Sequence, residues 1–196
     1  MFNIRRNATV LRLFLSLQLI GLISSGAGAA DHKPPQVGDE AQDFQLTTLD
    51  GNRVKLSEQV KSGPIVLVVL RGYPGYQCPL CTKQFGDYLQ AAEMLKKSSA
   101  TVVFVYPGPA DKLKERAKEF VQGKDYPNHF QLVLDPDYEF TNAYGLRWDS
   151  RGETAYPSTF VIDGQLKVTF AMVSKTHGNR SSAAEVVKAL QVTRQK

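Results

Sequence analysis

Ile65-Val66-Leu67-Val68-Val69-Leu70 runs into Arg71-Gly72-Tyr73-Pro74-Gly75-Tyr76-Gln77 and then into Cys78-Pro79-Leu80-Cys81. The first segment is an unbroken apolar, largely β-branched run, which suits a central strand covered on both faces. The second is a loop rich in Gly and Tyr. The third opens a helical pattern that continues to about Lys97, with Phe85, Leu89, Ala92 and Leu95 recurring at steps of three and four. A cysteine pair two residues apart therefore stands at a strand-to-helix junction. Unpaired N–H groups and partial positive charge at a helix start favour a thiolate over a thiol. The first cysteine of such a pair can ionise well below its ordinary range. Pro79 falls near the first helical position, where its missing N–H costs little. Cys78 would then attack and Cys81 resolve, cycling between dithiol and disulfide.

Other uses of two cysteines fit less well. A static disulfide closing so short a loop gains little chain-entropy stabilisation. A zinc site needs more ligands, and His32, His129 and His177 show no paired spacing. No metal and no cofactor are implied.

Working outward, Gly63-Pro64 introduces the central run. Before it, Phe44, Leu46 and Thr48 alternate with Gln45 and Thr47, Asp50-Gly51 marks a turn, and Val54 and Leu56 resume the alternation, predicting a β-hairpin over Phe44–Leu56. After it, Thr101–Tyr106 reads as a second buried strand, Asp111–Gln122 as an amphipathic helix, Gln131–Leu134 as a short strand and Tyr138–Tyr144 as a short helix. Leu146–Tyr156 is polar and aperiodic. Ser158–Asp163 and Lys167–Val173 read as two strands joined at Asp163-Gly164, and Ser181–Val192 as a final helix capped by Ser181 or Ser182. Strands alternating with helices, then an antiparallel pair and a last helix, predict an α/β domain: a central mixed sheet with helices on both faces and an N-terminal hairpin.

The 196 residues divide into residues 1–30, a linker over 31–35 and one domain over 36–194. Residues 1–30 carry Arg5 and Arg6, a short apolar run over Val10–Ile23 and a small-residue exit through Ala27-Gly28-Ala29, the pattern of a secretory signal peptide. The run is shorter than the roughly 20 residues of a membrane span, so no stable span is expected after cleavage. A periplasmic or secreted protein is expected, the alternative being an anchor through an uncleaved leader. Arg5, Arg6 and Arg12 supply three of the five net positive charges. The remaining field is too weak to argue for nucleic acid. Hydrophobic residues at 42% and charged residues at 22% exclude a disordered chain. The oligomeric state is not set by the sequence.

The strand–loop–CPLC–helix segment, together with Tyr156-Pro157-Ser158-Thr159-Phe160, resembles the thioredoxin-like superfamily. The hairpin Phe44–Leu56, Leu70-Arg71-Gly72 and Phe160-Val161-Ile162-Asp163 resemble its redoxin branch, the alkyl hydroperoxide reductase/thiol-specific antioxidant (peroxiredoxin-like) family, over roughly residues 36–194. The resemblance implies a thioredoxin fold with Cys78 as the exposed nucleophile and Cys81 as its partner. It implies a cis-Pro157 that faces the pair and offers backbone to an extended substrate, with Tyr156 lining the same groove. Peroxide-reducing members carry a proline, three residues, Thr or Ser, two residues and then the peroxidatic cysteine. Here Pro74 keeps that register, Cys78 replaces the hydroxyl residue, and Cys81 would be peroxidatic. Such members also place an arginine before the late strand, where this chain has Pro157; Arg71, Arg147 and Arg151 are the candidates to replace it.

Arg71 beside the pair would favour the thiolate, or is a solvated loop residue. Tyr73 and Tyr76 either shape the mouth of the motif or pack, and Arg147, Trp148 and Arg151 either overhang the cysteines or form plain surface. His177 is assigned to a surface turn. The candidate site is thus Cys78 and Cys81 as catalytic residues, with Tyr156, Pro157, Arg71 and Tyr76 for substrate. The leading expectation is a thiol–disulfide oxidoreductase acting on a disulfide- or dithiol-bearing protein. The alternatives are a thiol peroxidase acting on peroxide and a redox-inert binding module.

Overall fold

The computed structural model describes Met1 and residues 32–193, so the leader reading lies outside the described residues. The alternation around Asp50-Gly51 forms the hairpin of strands β1 (Gln45–Thr48) and β2 (Arg53–Lys55), with Leu46 opposite Val54. The hairpin is one residue shorter than expected at each end. Leu56 instead opens a helical turn, α1 (Leu56–Gln59), which tightens into a 3-10 turn over Val60–Ser62. The cause is Asp43, whose carboxylate accepts from Ser57 N at 2.9 Å and Ser57 Oγ at 2.8 Å, holding the chain in a turn where alternation predicts extension.

Strand β3 (Ile65–Val69) is buried at every position, as its unbroken apolar run requires. The helix after the cysteines is two helices, α2 (Pro79–Gln90) and α3 (Ala92–Lys97), meeting at Ala91. There the Ala91 N–H is shared between Asp87 O (3.2 Å) and Tyr88 O (3.1 Å), a tightening with no glycine or proline to announce it. Next come β4 (Thr101–Gly108), α4 (Leu113–Val121), β5 (Phe130–Pro136), α5 (Glu139–Ala143), β6 (Ser158–Ile162), β7 (Val168–Val173) and α6 (Ala183–Thr193).

Among the described residues the seven strands form one sheet in the order β2-β1-β5-β4-β3-β6-β7. β3 pairs parallel with β4, and β4 with β5; the other pairings are antiparallel. Alternate residues of β3 serve two cores. Val66 and Val68 pack with Phe104 of the neighbouring strand β4 and with Phe85, Tyr88, Phe120 and Val186 from α2, α4 and α6. Ile65, Leu67 and Val69 pack with Leu56 of α1, Phe140 of α5, Tyr144 at its C-terminal end and Phe160 of the neighbouring strand β6. This is the mixed sheet covered on both faces that the strand and helix order predicts. Each fully buried aliphatic side chain here contributes roughly 1.5–3 kcal/mol, so β3 is an anchored platform for the loop and helix at its C-terminal end.

The aperiodic stretch folds back on itself. Arg147 and Ala155 form an antiparallel bridge, Trp148 N donates to Thr154 O (3.1 Å), and Tyr156 N donates to Leu146 O (2.8 Å). Among the described residues no peptide bond is cis, so the expected cis bond at Pro157 is corrected to trans. The flanking backbone is fully engaged in that extended path: Tyr156 O accepts from Ser158 Oγ (2.8 Å) and Pro157 O from Ser174 N (2.9 Å). No described helix is long and apolar enough to cross a membrane.

Candidate active site

The platform ends at Leu70, and the chain must turn sharply to start α2. Gly72 makes this possible. It adopts φ +63, and a Cβ there would lie 1.9 Å from Pro107 O at the end of β4, so only glycine lets the loop pass that close. Gln77 pins the far end of the loop. Its Nε2 donates to Arg116 O (2.9 Å), and its Oε1 accepts from the Tyr106 hydroxyl (3.0 Å).

Cys78 is the N-cap of α2, in extended conformation, with Pro79 at the first helical position. Its Sγ accepts from Cys81 N at 3.3 Å, the role a capping oxygen usually fills. The Cys78 thiol is held down to about 6: a hydrogen bond from the Cys81 side chain and one from the Cys81 backbone outweigh burial, and the charges of Arg180 and Arg71 add to them. Cys81, one turn on, moves the opposite way. Burial and the neighbouring Cys78 push its thiol well above the ordinary range, although Arg180 and the Arg71 N–H pull it back. Both cysteines are free thiols, only 3% and 1% exposed, so the exposed position expected of Cys78 is corrected to a buried one beneath Arg180. The arrangement therefore splits two chemically identical groups into one thiolate and one thiol near neutral pH.

The residues expected around the pair take different parts. Arg71 is there, but only its backbone N–H reaches Cys81 Sγ, at 3.4 Å. Its guanidinium turns away and is nearly buried: Nε meets Glu153 Oε2 at 2.6 Å, Nη2 donates to Gly152 O at 2.8 Å and Nη1 to the Tyr76 hydroxyl at 2.8 Å. Tyr76 is half-exposed next to the motif, beside the exposed Leu80. Tyr73 lies under the Arg116 guanidinium instead, 4.6 Å from ring centroid to charge. Tyr156 stacks on Trp148, ring centroids 4.9 Å apart, with Lys175 Nζ 4.1 Å from its ring centroid. Arg147 is occupied by the carbonyls of Trp148 and Thr154, and Arg151 is exposed. His177 is on a turn, as expected, but its Nε2 lies 2.9 Å from Glu153 Oε1 and its ring 5.1 Å from Trp148.

The cation that touches the sulfurs is Arg180, which the sequence did not single out. Its Nη2 lies 3.7 Å from Cys78 Sγ and its Nη1 3.6 Å from Cys81 Sγ, while Nη1 also donates to Gln84 Oε1 (3.1 Å). Arg180 comes from the loop before α6, whose first turn is closed by reciprocal bonds between Ser182 and Glu185. The buried Ser181 Oγ bonds the Tyr88 hydroxyl and Thr159 Oγ1. The available signal was an arginine immediately before a capping Ser pair, which locates a cation at a helix start but not against a particular partner. Beside Arg180 lies an open cleft of about 360 Å³, lined by Leu80, Lys83, Gln84 and Asp87 of α2 and by residues 178–182. Among the described residues no group of three or more His, Cys, Asp or Glu side chains is placed to hold a metal.

Against known proteins, residues 37–171 match the AhpC/TSA family. The chain belongs to the AhpC/TSA family. It is 32% identical over 139 residues to a protein of Mycobacterium tuberculosis (strain H37Rv) named as a peroxiredoxin, covering 68% of this chain and 82% of that one. It is 24% identical over 174 residues to the thiol-disulfide oxidoreductase ResA of Bacillus cereus, covering 87% of this chain and 91% of that one. The crystal structure of peroxidoxin BcpB from M. tuberculosis superposes with a TM-score of 0.63 at 25% identity, covering 82% of this chain and 97% of that one. AhpC/TSA membership and these relatives support an oxidoreductase that works through thiols, and the superposition agrees with the mixed sheet and its helices.

Proposed function

We propose that the protein is a thiol–disulfide oxidoreductase whose attacking group is the Cys78 thiolate. The observation that carries this is the capping geometry of Cys78, whose Sγ takes the Cys81 N–H and ionises at about 6. The Cys78 thiolate attacks one sulfur of a substrate disulfide, forming a mixed disulfide and releasing the other substrate sulfur as a thiolate. Cys81 then gives up its proton and attacks Cys78 Sγ. The substrate leaves with two electrons and the pair becomes a disulfide; a dithiol partner reverses the cycle. Cys78→Ser is expected to abolish dithiol-driven reduction of a model protein disulfide. Cys81→Ser is expected to accumulate the mixed disulfide on Cys78; turnover retained in Cys78→Ser would refute the assignment.

A second reading has its own support. Cys81 Sγ receives the Arg71 N–H and Arg180 Nη1 together, a pocket suited to an anionic sulfur, and Pro74 keeps the peroxidase register. In that reading Cys81 attacks a hydroperoxide, releases the alcohol or water, and the resulting sulfenic acid condenses with Cys78 to the disulfide and water. Fast peroxide consumption lost in Cys81→Ser but kept in Cys78→Ser would select it. The burial that raises Cys81 argues for the first reading. The leader pattern supports a placement outside the cytoplasm, where disulfides persist; the mass of the protein recovered from its host, with or without residues 1–30, tests that reading against an uncleaved anchor.

A further inference from the structure

Besides the sulfurs, Arg180 is held by Gln84 Oε1, which accepts from Nη1 at 3.1 Å, and by one backbone carbonyl. It sits on a loop without regular structure, and among the described residues it meets no carboxylate. Its contacts with the sulfurs, at 3.6 and 3.7 Å, have no slack, because a shift of about 1 Å takes a donor out of hydrogen-bonding range. Together with Gln84, what aims the guanidinium is its third nitrogen: Nε donates to the carbonyl oxygen of His177 at 3.0 Å. His177 is in turn fastened by Nε2 to Glu153 Oε1 at 2.9 Å. The other oxygen of Glu153 holds Arg71 Nε at 2.6 Å, and the Arg71 backbone N–H reaches Cys81 Sγ. The circuit is closed: sulfurs, Arg180, His177, Glu153, Arg71, and back to the sulfurs.

Glu153 is the joint of that circuit. Its side chain is 12% exposed. Burial alone would raise its carboxyl, but hydrogen bonds from Arg71 and His177 override that and keep it below the ordinary carboxylate value. Its charge also neutralises Arg71, which leaves Arg180 as the cation directed at the thiols. We propose that Glu153 is a positioning residue that acts through His177 to hold the Arg180 guanidinium against the sulfurs of Cys78 and Cys81. The inference deepens the reading of the pair as a reactive dithiol. It predicts how readily Cys78 ionises, not which substrate it serves, so the two can fail separately. The other titratable and charged groups facing Cys78 are Cys81, Arg71 and the Tyr106 hydroxyl, and burial keeps that hydroxyl protonated far above neutral pH.

The test is the pH profile of Cys78 alkylation by iodoacetamide in the reduced, full-length protein, read on the Cys78 peptide by mass spectrometry. Glu153→Ala and His177→Ala are each expected to slow alkylation at pH 6 about threefold and move the midpoint to higher pH. Glu153→Gln, which keeps an acceptor for Arg71 but no charge, is expected to fall between them and the parent. In an Arg180→Ala background the same substitutions are expected to add nothing, since the route runs through Arg180. A merely structural ion pair would change the melting temperature without moving the profile. Parental profiles in both single variants, or shifts that add in full to that of Arg180→Ala, would overturn the proposal. Should Glu153→Ala fail to fold, His177→Ala, whose side chain is half exposed, carries the same test alone.

Discussion

The loop after β3 and the loop before α6 each bring an arginine to the cysteines, and the two arginines do opposite things. Arg71 is nearly buried, paired with Glu153 and bonded to Gly152 and Tyr76; its side chain frames the site and only its backbone addresses a sulfur. Arg180 directs two nitrogens at sulfur and one at a carbonyl. The lesson is that proximity in sequence to a reactive pair says little about which cation serves it. A guanidinium already matched to a largely buried carboxylate lends less of its charge: Arg71 lowers the Cys78 thiol, but less than Arg180 does.

The contrast can be broken first on stability. Arg71→Ala leaves Glu153 buried with only His177 for company, and is expected to cost about 3–5 kcal/mol in urea unfolding. Arg180→Ala, in the disulfide form where no thiolate needs support, is expected to stay within about 0.5 kcal/mol of the parent. Equal losses would erase the distinction between frame and effector. Gly72→Ala tests the frame from the backbone side: a Cβ 1.9 Å from Pro107 O at φ +63 is expected to cost about 3 kcal/mol.

The pH dependence of stability sharpens the comparison between the two sulfurs. Cys78 ionises at about 6 in the fold against an ordinary 9.0. It therefore contributes stability that is complete above pH 9, declines below it and is gone once the pH falls through about 6. Cys81, raised by burial, contributes stability that is present below pH 9 and lost as the pH rises through its higher folded value. Reduced parent protein should thus gain stability from pH 6 towards 9, and Cys78→Ser should flatten that gain; an unchanged slope would count against a low-lying Cys78. The smallest expected effect is on redox poise. Stabilising a thiolate favours the dithiol form, so Arg180→Ala should lower the reduction potential by about 15 mV at pH 7, and Arg71→Lys, which keeps the cation but not the forked contacts, should lower it less.

Much of the fold was legible because burial leaves a plain mark. A run such as Ile65–Leu70 has no polar face, and the two cysteines stand where strand gives way to helix. The helix break at Ala91 was not legible, because a shared hydrogen bond needs no special residue, and the turn at Leu56 depends on Asp43 reaching fourteen residues along the chain. The trans bond at Pro157 fits pairings of Tyr156 and Pro157 with Leu146, Ser158 and Ser174, of which the dipeptide itself carries no trace. Arg180 escaped notice because it lies 99 residues from Cys81, in a polar segment before α6 with no hydrophobic period to mark it. Glu153 and His177 were hidden for the same reason: their meaning arises only where two aperiodic loops meet.

In the proposed cycle Cys78, and not Cys81, is the sulfur that reacts first. Reduced protein treated at pH 6.5 with one equivalent of alkylating agent, digested and mapped by mass spectrometry, compares the two directly. Label concentrated on the peptide bearing Cys78 is the predicted result; label concentrated on Cys81 would contradict it.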